Sequence, residues 1–136
     1  MSASVLALDV GDKRIGVAVA NIEVRFARPL ITLINDETFD DKLTALISEH
    51  DVQTIVVGLP RGLDGQETEQ THKAETFMES LRSKIDLPIH AQDEAATSVK
   101  AEAELQARGK PYEKSAIDAL AATYILEDYL GVTGNV

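Results

Sequence analysis

Residues 5–21, VLALDVGDKRIGVAVAN, constrain the fold of this chain more than any other stretch. Residues 5–10 are apolar at both alternating positions except for Asp9, a pattern typical of a strand covered on each side in an α/β sheet. An unpaired carboxylate inside a core is very costly, so we expect Asp9 at the strand end, facing a cation, a metal or several donors. Residues 14–20 resume the alternation after a turn at Gly11, Asp12 and Lys13. The stretch therefore predicts a β-hairpin with Asp9 at its mouth.

Composition narrows the class of protein and its compartment. The 136 residues suit one domain, which we predict to span residues 1–136. No apolar run approaches the roughly 20 residues that cross a bilayer, and no signal sequence opens the chain, so we expect a soluble protein without a membrane partner. The absence of cysteine excludes disulfides, thiolate chemistry and cysteine zinc sites. A cytoplasmic location is the resulting prediction.

The net charge bears on whether the chain binds nucleic acid. A value of −10, from 23 acidic and 13 basic residues, argues against a broad basic surface for nucleic acid. A protein that binds phosphate through divalent cations nevertheless needs carboxylates at its site, and the bound cations reverse the local field. The overall charge therefore leaves a local, metal-mediated contact open.

The remaining patterns give the element order β-β-β-α-β-α-β-α-α. A third strand is predicted at residues 24–34, with an edge or a bulge where Arg28 and Pro29 interrupt the apolar pattern. Asn35 and Asp36 are the expected caps of the helix that follows. The elements predict one mixed sheet with helices on its faces. Beyond the third strand, strands are predicted at residues 54–57 and 88–92, and helices at 39–50, up to 84, 97–108 and 113–130.

Three acidic positions break the rule that charge sits on the surface: Asp9, the pair Asp93 and Glu94, and Asp118. The first two positions lie at the carboxyl ends of candidate parallel strands, where α/β sheets place their ligands. Asp118 projects from or beside the packing face of the last helix. Together these carboxylates have the composition of a divalent-cation site, because Mg²⁺ binds a few carboxylates together with water and substrate phosphate.

Each acid also has a structural interpretation that the sequence leaves open. Asp9 could accept hydrogen bonds from turn amides, and Asp93 or Glu94 could cap a helix. Asp118 could close a Ser115-x-x-Asp118 capping box. The histidines at positions 50, 72 and 90 are dispersed without ligand spacing, so we assign them no role.

Four segments carry a resemblance to a known family, and their order and spacing agree with it over nearly the whole chain. The chain resembles the YqgF (RuvX) family of Holliday-junction resolvases and pre-16S ribosomal RNA nucleases, in the ribonuclease H-like superfamily. The resemblance implies an α/β, ribonuclease H-like fold, with a five-stranded mixed sheet of three antiparallel strands and then two parallel ones, flanked by helices. The segments are LDVGDKRIGVAVA (8–20), VVGLPRGLDGQ (56–66), DEAATSVKAE (93–102) and KSAIDALAATYIL (114–126).

The resemblance also implies site residues. The strand-one aspartate of the family falls on Asp9, its acidic pair on Asp93 and Glu94, and its helix aspartate on Asp118. These four would be the ligands of Mg²⁺ or Mn²⁺, with Asp9, Glu94 and Asp118 as the catalytic set and Glu94 the preferred member of the pair. The family usually has Asp-Glu-Arg here, whereas this chain has Ala95 in the third position, which removes a candidate phosphate clamp.

Two hypotheses of function follow. The first is a metal-dependent nuclease for precursor ribosomal RNA or branched DNA, working as one chain or as a homodimer. The second is a nucleic-acid-binding factor in ribosomal RNA maturation whose catalysis is weakened, which Ala95 and the acidic charge favour. A sugar-kinase-like ATPase ranks last, since 136 residues cannot supply a second closing domain. Candidate contacts to the nucleic-acid backbone are Lys13, Arg14, Arg61 and Lys114, although the sequence favours plain solvated surface positions for Lys13, Arg14 and Arg61.

Overall fold

One five-stranded sheet organises the computed structural model of the chain, which describes residues 3–62, 64–94 and 97–131. The strand order is β3-β2-β1-β4-β5, with antiparallel pairs β1–β2 and β2–β3 and parallel pairs β1–β4 and β4–β5. The predicted mixed sheet and element order are confirmed. In chain order the elements are β1 (Ser4–Val10), β2 (Arg14–Asn21), β3 (Arg28–Ile34), α1 (Phe39–Glu49), β4 (Val52–Pro60), α2 (Glu69–Lys84), β5 (Ile89–Glu94), α3 (Thr97–Ala107) and α4 (Lys114–Leu130).

The two faces of the sheet are packed differently. The aliphatic face, as we call it, packs large side chains such as Leu6 and Leu8 against α1 and α2. The α4 face packs small side chains such as Ala7 and Ala18 against Ile125 and neighbouring residues of α4. Each large aliphatic side chain buried on the first face contributes about 1.5–3 kcal/mol to folding. The aliphatic face therefore supplies much of the hydrophobic stabilisation, while the α4 face admits a helix at short range.

Two glycines let α4 approach the sheet closely. A Cβ placed on Gly16 would lie 2.0 Å from the carbonyl oxygen of Asp118, and one on Gly58 would lie 2.4 Å from Cδ1 of Ile125. The backbone of α4 cannot move aside for a Cβ on residue 16, so this packing requires glycine there, whereas a Cβ on residue 58 would require the Ile125 side chain to shift. The first half of α4 thereby rests directly on β2.

Some element boundaries differ from the sequence prediction. The third strand begins at Arg28 and not at residue 24, because the Asn21 side chain accepts hydrogen bonds from the amides of Glu23 and Val24 and so stabilises a turn. Strand β4 is longer than predicted and includes Gly58 and Pro60, since it lies between two partners whose parallel pairing extends it.

The predicted caps of α1 are also wrong. Thr38 is the N-cap residue, while Asp36 accepts hydrogen bonds from the Thr38 amide and hydroxyl, and Asn35 donates to the carbonyl of Gly11. Across the described ranges, none of the helices has the length and apolar character needed to cross a bilayer.

A candidate carboxylate site on the α4 face

Asp9 lies near the end of β1, on the α4 face. Its ladder partner is Gly16, and the alternation of the strand places it on the same side as Val5 and Ala7. The side chain is half-buried. Burial, followed by the negative charge of Asp118, raises the pKa of Asp9 to about 7. Within the part of the chain that the structure describes, no cation or hydrogen-bond donor contacts this carboxylate, so its negative charge lacks a partner.

Asp118 reaches the same place from α4. Its backbone rests on Gly16, the strand partner of Asp9. Nε of Arg14 donates to Oδ2 of Asp118 at 2.7 Å, and the Asp118 side chain is only 19% exposed. The helix begins at Lys114, with Glu113 as the N-cap residue, so Ser115 lies inside the helix and the capping-box alternative for Asp118 is excluded. The partner of Asp118 is Arg14, one of the predicted phosphate contacts.

Glu94 ends β5 on the same face but faces a different neighbour. It pairs with Pro60 and shares its side of the strand with His90, whose ring stacks on Tyr129 of α4. Burial first, and then the hydrogen bond and charge of Asp128, raise the pKa of Glu94 to about 8. The charge of Lys100 opposes this rise. Glu94 is thus turned towards the last turn of α4.

Asp93, the other member of the pair, projects from the opposite side of β5. Its Oδ1 accepts from Nη2 of Arg61 at 3.0 Å, and Nη1 of Arg61 lies 3.4 Å from Oε2 of Glu67. The structure therefore places Glu94, and not Asp93, on the face that carries Asp9 and Asp118. Arg61 is engaged by two carboxylates on the other side of β5.

The other two predicted phosphate contacts, Lys13 and Lys114, lie near the site, and neither forms an ion pair with another described residue. Lys13 is exposed in the turn between β1 and β2, and Lys114 is exposed at the first position of α4. Both flank the junction of β2 and α4, where Arg14 meets Asp118. Ala95 lies outside the described residues.

Two features were missed by the sequence analysis. Asp128 stands about three helical turns after Asp118, a spacing that could have indicated a second acid beside the packing face. His72 lies between two carboxylates, with Nε2 at 3.5 Å from Glu67 and Nδ1 at 3.4 Å from Glu75. Among the described residues, His72, Glu67 and Glu75 lie close enough together to hold a metal ion, but all three are at the surface, and the assignment of no role to His72 stays a prediction.

The donor set on the α4 face fits a hard divalent cation. All its members offer carboxylate oxygens, the ligands that Mg²⁺ and Mn²⁺ prefer. Asp9 is half-buried and lacks a positive partner among the described residues, so a cation beside it would neutralise an unfavourable charge. Asp9 and Asp118 could hold such an ion together. Glu94 would have to turn from Asp128 to join them, since the three acids do not form one compact group.

The chain is similar to known sequences over nearly its whole length. A family model described as "RuvX: Holliday junction resolvase" matches residues 3–131. A protein from Chloroflexus aggregans, named "Putative pre-16S rRNA nuclease", is 38% identical over 136 residues, which cover 97% of this chain and 96% of that protein. A protein of the same name from Burkholderia pseudomallei is 42% identical over 130 residues, covering 94% and 88% of the two chains. These matches support a nuclease role.

A solved structure supports the fold. The Fowlpox virus resolvase, determined with its substrate Holliday junction DNA, superposes with a TM-score of 0.53 and covers 97% of this chain and 99% of that chain. Its sequence is only 9% identical, so the likeness concerns the fold alone. The predicted ribonuclease H-like fold is confirmed.

Proposed function

Because this chain belongs to the RuvX family of Holliday junction resolvases, we propose that it is a divalent-metal-dependent endonuclease acting on precursor 16S ribosomal RNA, on Holliday-junction DNA, or on both. The observation that carries the proposal is the meeting of Asp9 and Asp118 where the end of β1 faces α4. A half-buried carboxylate without a positive partner among the described residues is costly. A bound cation would compensate that cost and give the acid a function.

Asp9, Asp118 and Glu94 are the proposed ligands of Mg²⁺ or Mn²⁺. When bound, such an ion activates water and stabilises the leaving oxygen of a phosphodiester. Asp9 is fixed by the β1–β2 ladder, and Arg14 holds the Asp118 carboxylate at 2.7 Å. Glu94, whose pKa is raised to about 8, keeps its proton at neutral pH until positive charge reaches it. The position of Asp93 on the opposite side of β5 favours Glu94 as the third ligand.

Contacts to the nucleic-acid backbone are proposed for the exposed cations nearest this site. Lys13 lies in the turn just before β2, Lys114 is the first residue of α4, and both side chains are exposed. Such residues would position phosphates without reading sequence. Arg14 would serve the substrate only if it released Asp118, and Arg61 only if it released Asp93 and Glu67.

The test is cleavage of four-way DNA junctions and of precursor ribosomal RNA by the purified chain in Mg²⁺, in Mn²⁺ and in EDTA. We expect cleavage in the metals and none in EDTA, and expect Asp118→Asn to abolish it. Asp93→Asn is the matched control, because this carboxylate lies next to Glu94 but faces away from Asp118. Equal cleavage by the Asp118→Asn variant and wild type would refute the proposed ligand set.

A second candidate is a binding factor in ribosomal RNA maturation with weakened catalysis. It is favoured by the contacts of the carboxylates, since Arg14 engages Asp118 and Glu94 faces Asp128. Wild-type protein that binds precursor RNA but leaves it intact in both metals would support this candidate.

Oligomeric state and compartment belong to the same proposal. Cutting two strands of a junction requires two sites, so the junction-cleaving form would act as a homodimer, which the sedimentation of the protein–junction complex would reveal. The absence of cysteine is consistent with the reducing cytoplasm, where we place the protein.

A further inference from the structure

A groove of about 580 Å³ opens between the edge strand β3 and the connection from α3 to α4. Its volume lies in the range of about 300–1,000 Å³ that ligand sites occupy. One wall is formed by residues 29–32 of β3, and the other by Arg108, Lys110, Tyr112 and the first turns of α4. None of the predicted site residues lines this groove.

The groove lies next to the carboxylate site. Thr32 in its wall donates from Oγ1 to the carbonyl of Ser115 at 2.6 Å, which joins β3 to the start of α4. Thr32 pairs in turn with Gly16, on which the backbone of Asp118 rests. A nucleic-acid strand with one phosphate at the proposed metal site beside Asp118 would therefore reach the groove one β-strand further towards the edge of the sheet.

The lining combines cations with apolar surface. Arg108 and Lys110 are exposed at the rim, in a chain whose acidic residues outnumber its basic ones by 23 to 13. Arg108 donates through Nη2 to Glu104 at 2.6 Å, whereas Lys110 forms no ion pair within the described ranges. Glu113 is the acidic member of the lining. Glu104 offsets the charge of Arg108, so Lys110 is the cation of the lining that is most available to an anionic ligand.

Tyr112 gives the groove an aromatic surface. Its side chain is half-buried, packed with Ala116 against the cluster that contains Leu105 and Leu120. The apolar floor continues with Pro29 and Leu30 of β3. Aromatic rings next to cations are the combination that binds single-stranded nucleic acid, because the bases stack and the phosphates pair with the charges.

The start of α4 adds to this preference. The first turn of the helix lines the groove, contains no acidic residue, and its N-cap Glu113 makes no side-chain capping hydrogen bond. The Glu113 side chain thus leaves the first amides of α4 open to a phosphate oxygen, while its charge offsets part of the helix dipole.

We propose that this groove is a subsite for single-stranded nucleotides adjoining the scissile phosphate, with a base on Tyr112 and phosphates at Arg108 and Lys110. This inference rests on the proposed function, since it assumes that the substrate is a nucleic acid. It assigns the groove to the part of the substrate that flanks the cut.

The test is binding of a fluorescent 12-nucleotide single strand, as RNA and as DNA, measured in EDTA over a range of salt concentrations. We expect Lys110→Gln and Arg108→Gln each to weaken binding and to lower the slope of log affinity against log salt by about 0.7. Tyr112→Leu should weaken binding about five- to a hundredfold with the slope unchanged, while Tyr112→Phe retains affinity. Stronger binding of RNA would indicate contacts to the 2′-hydroxyl.

Lys42→Gln is the matched control. Lys42 lines a smaller groove on the other side of β3, of about 330 Å³, so its loss removes the same charge outside the proposed subsite. Equal weakening by Lys42→Gln and Lys110→Gln would show a bulk-charge effect and overturn the subsite, as would wild-type affinity of folded Tyr112→Leu. Binding through the groove without cleavage of any substrate would keep the subsite and refute the nuclease, whereas cleavage without single-strand binding would do the reverse.

Discussion

The two faces of the sheet differ in the side chains that they pack and in their effect on the stability of the fold. On β1, Leu8 is fully buried on the aliphatic face, while Asp9, the next residue, faces α4 with a pKa raised to about 7. The aliphatic face gains stability from side-chain volume. The α4 face gives up volume for a close helix and holds a charge that burial disfavours. The carboxylate site therefore lowers the stability of the folded chain, as is common for functional sites.

The largest expected effects come from substituting Leu8, which should lower stability, and Asp9, which should lower cleavage. Leu8→Ala should lower the free energy of unfolding by about 2–5 kcal/mol and leave the specific activity of the folded fraction unchanged, because it creates a cavity away from the site. Asp9→Asn should reduce cleavage by more than the roughly 10–100-fold that loss of an outer-shell partner causes. Denaturant melts and single-turnover cleavage measure the two effects. A large loss of activity in folded Leu8→Ala would show that the aliphatic face also contributes to activity.

The pH dependence of stability should show the cost of the α4 face directly. Folded Asp9 and Glu94 hold their protons to higher pH than in the unfolded chain, with pKa values of about 7 and about 8. The folded state therefore binds more protons above pH 4, so stability is fully present below that pH and falls as pH rises towards 8. In EDTA we expect a loss of several kcal/mol over this window, less than about 1.4 kcal/mol for each unit by which the two pKa values are raised, because solvent screens the half-buried carboxylates.

The same measurement with metal and with a variant identifies the groups. Mn²⁺ should stabilise the folded chain more at pH 8 than at pH 6, because metal binding requires deprotonated carboxylates. Asp9→Asn should make the EDTA profile less steep below pH 7 and leave the part of the slope that Glu94 contributes. A profile of wild type that is already flat in EDTA would contradict the charge assigned to this face.

A smaller effect is expected from closing the space between β2 and α4. Gly16→Ala would place a Cβ 2.0 Å from the Asp118 carbonyl oxygen, so α4 must shift and about 1–3 kcal/mol of stability should be lost together with cleavage. Gly62→Ala is the matched control, since its Cβ would meet only the flexible Gln66 side chain. Thermal melting and cleavage report both variants. Equal melting temperatures would show that close approach of α4 is not required.

The fold was predictable because its signals are local. Alternating apolar residues in 5–20 and the turn at Gly11 specify the hairpin, and short apolar runs specify the parallel strands. Boundaries were less predictable where a side chain outside the element decides them. The turn that delays β3 depends on Asn21, and the extension of β4 to Pro60 depends on its two neighbouring strands.

The sequence indicates which acidic residues end strands or flank the packing face of a helix, but it does not indicate which groups they contact. Strand ends and helical phase indicate Asp9, the pair Asp93 and Glu94, and Asp118 without choosing within the pair, yet the pairing of Asp118 with Arg14 joins residues 104 positions apart. The neighbour of Glu94 was not predicted for the same reason, since Asp128 lies on a different element, α4, far along the chain. The ligand roles themselves, and the effect of Ala95, stay predictions.

The smallest expected effect concerns the two arginines that engage predicted ligands on opposite sides of the sheet. Arg14 pairs with Asp118 at 2.7 Å, and Arg61 pairs with Asp93 at 3.0 Å. Both pairs are partly exposed, so Arg14→Gln and Arg61→Gln should each cost about 1 kcal/mol of stability or less. Their effects on metal should differ, because Arg14 competes with a cation for the Asp118 oxygens while Arg61 engages a carboxylate that faces away. Calorimetry should show Mn²⁺ binding a few-fold tighter to Arg14→Gln than to wild type, and unchanged in Arg61→Gln. Weaker Mn²⁺ binding to Arg14→Gln would mean that the guanidinium holds Asp118 in its binding position more than it blocks it.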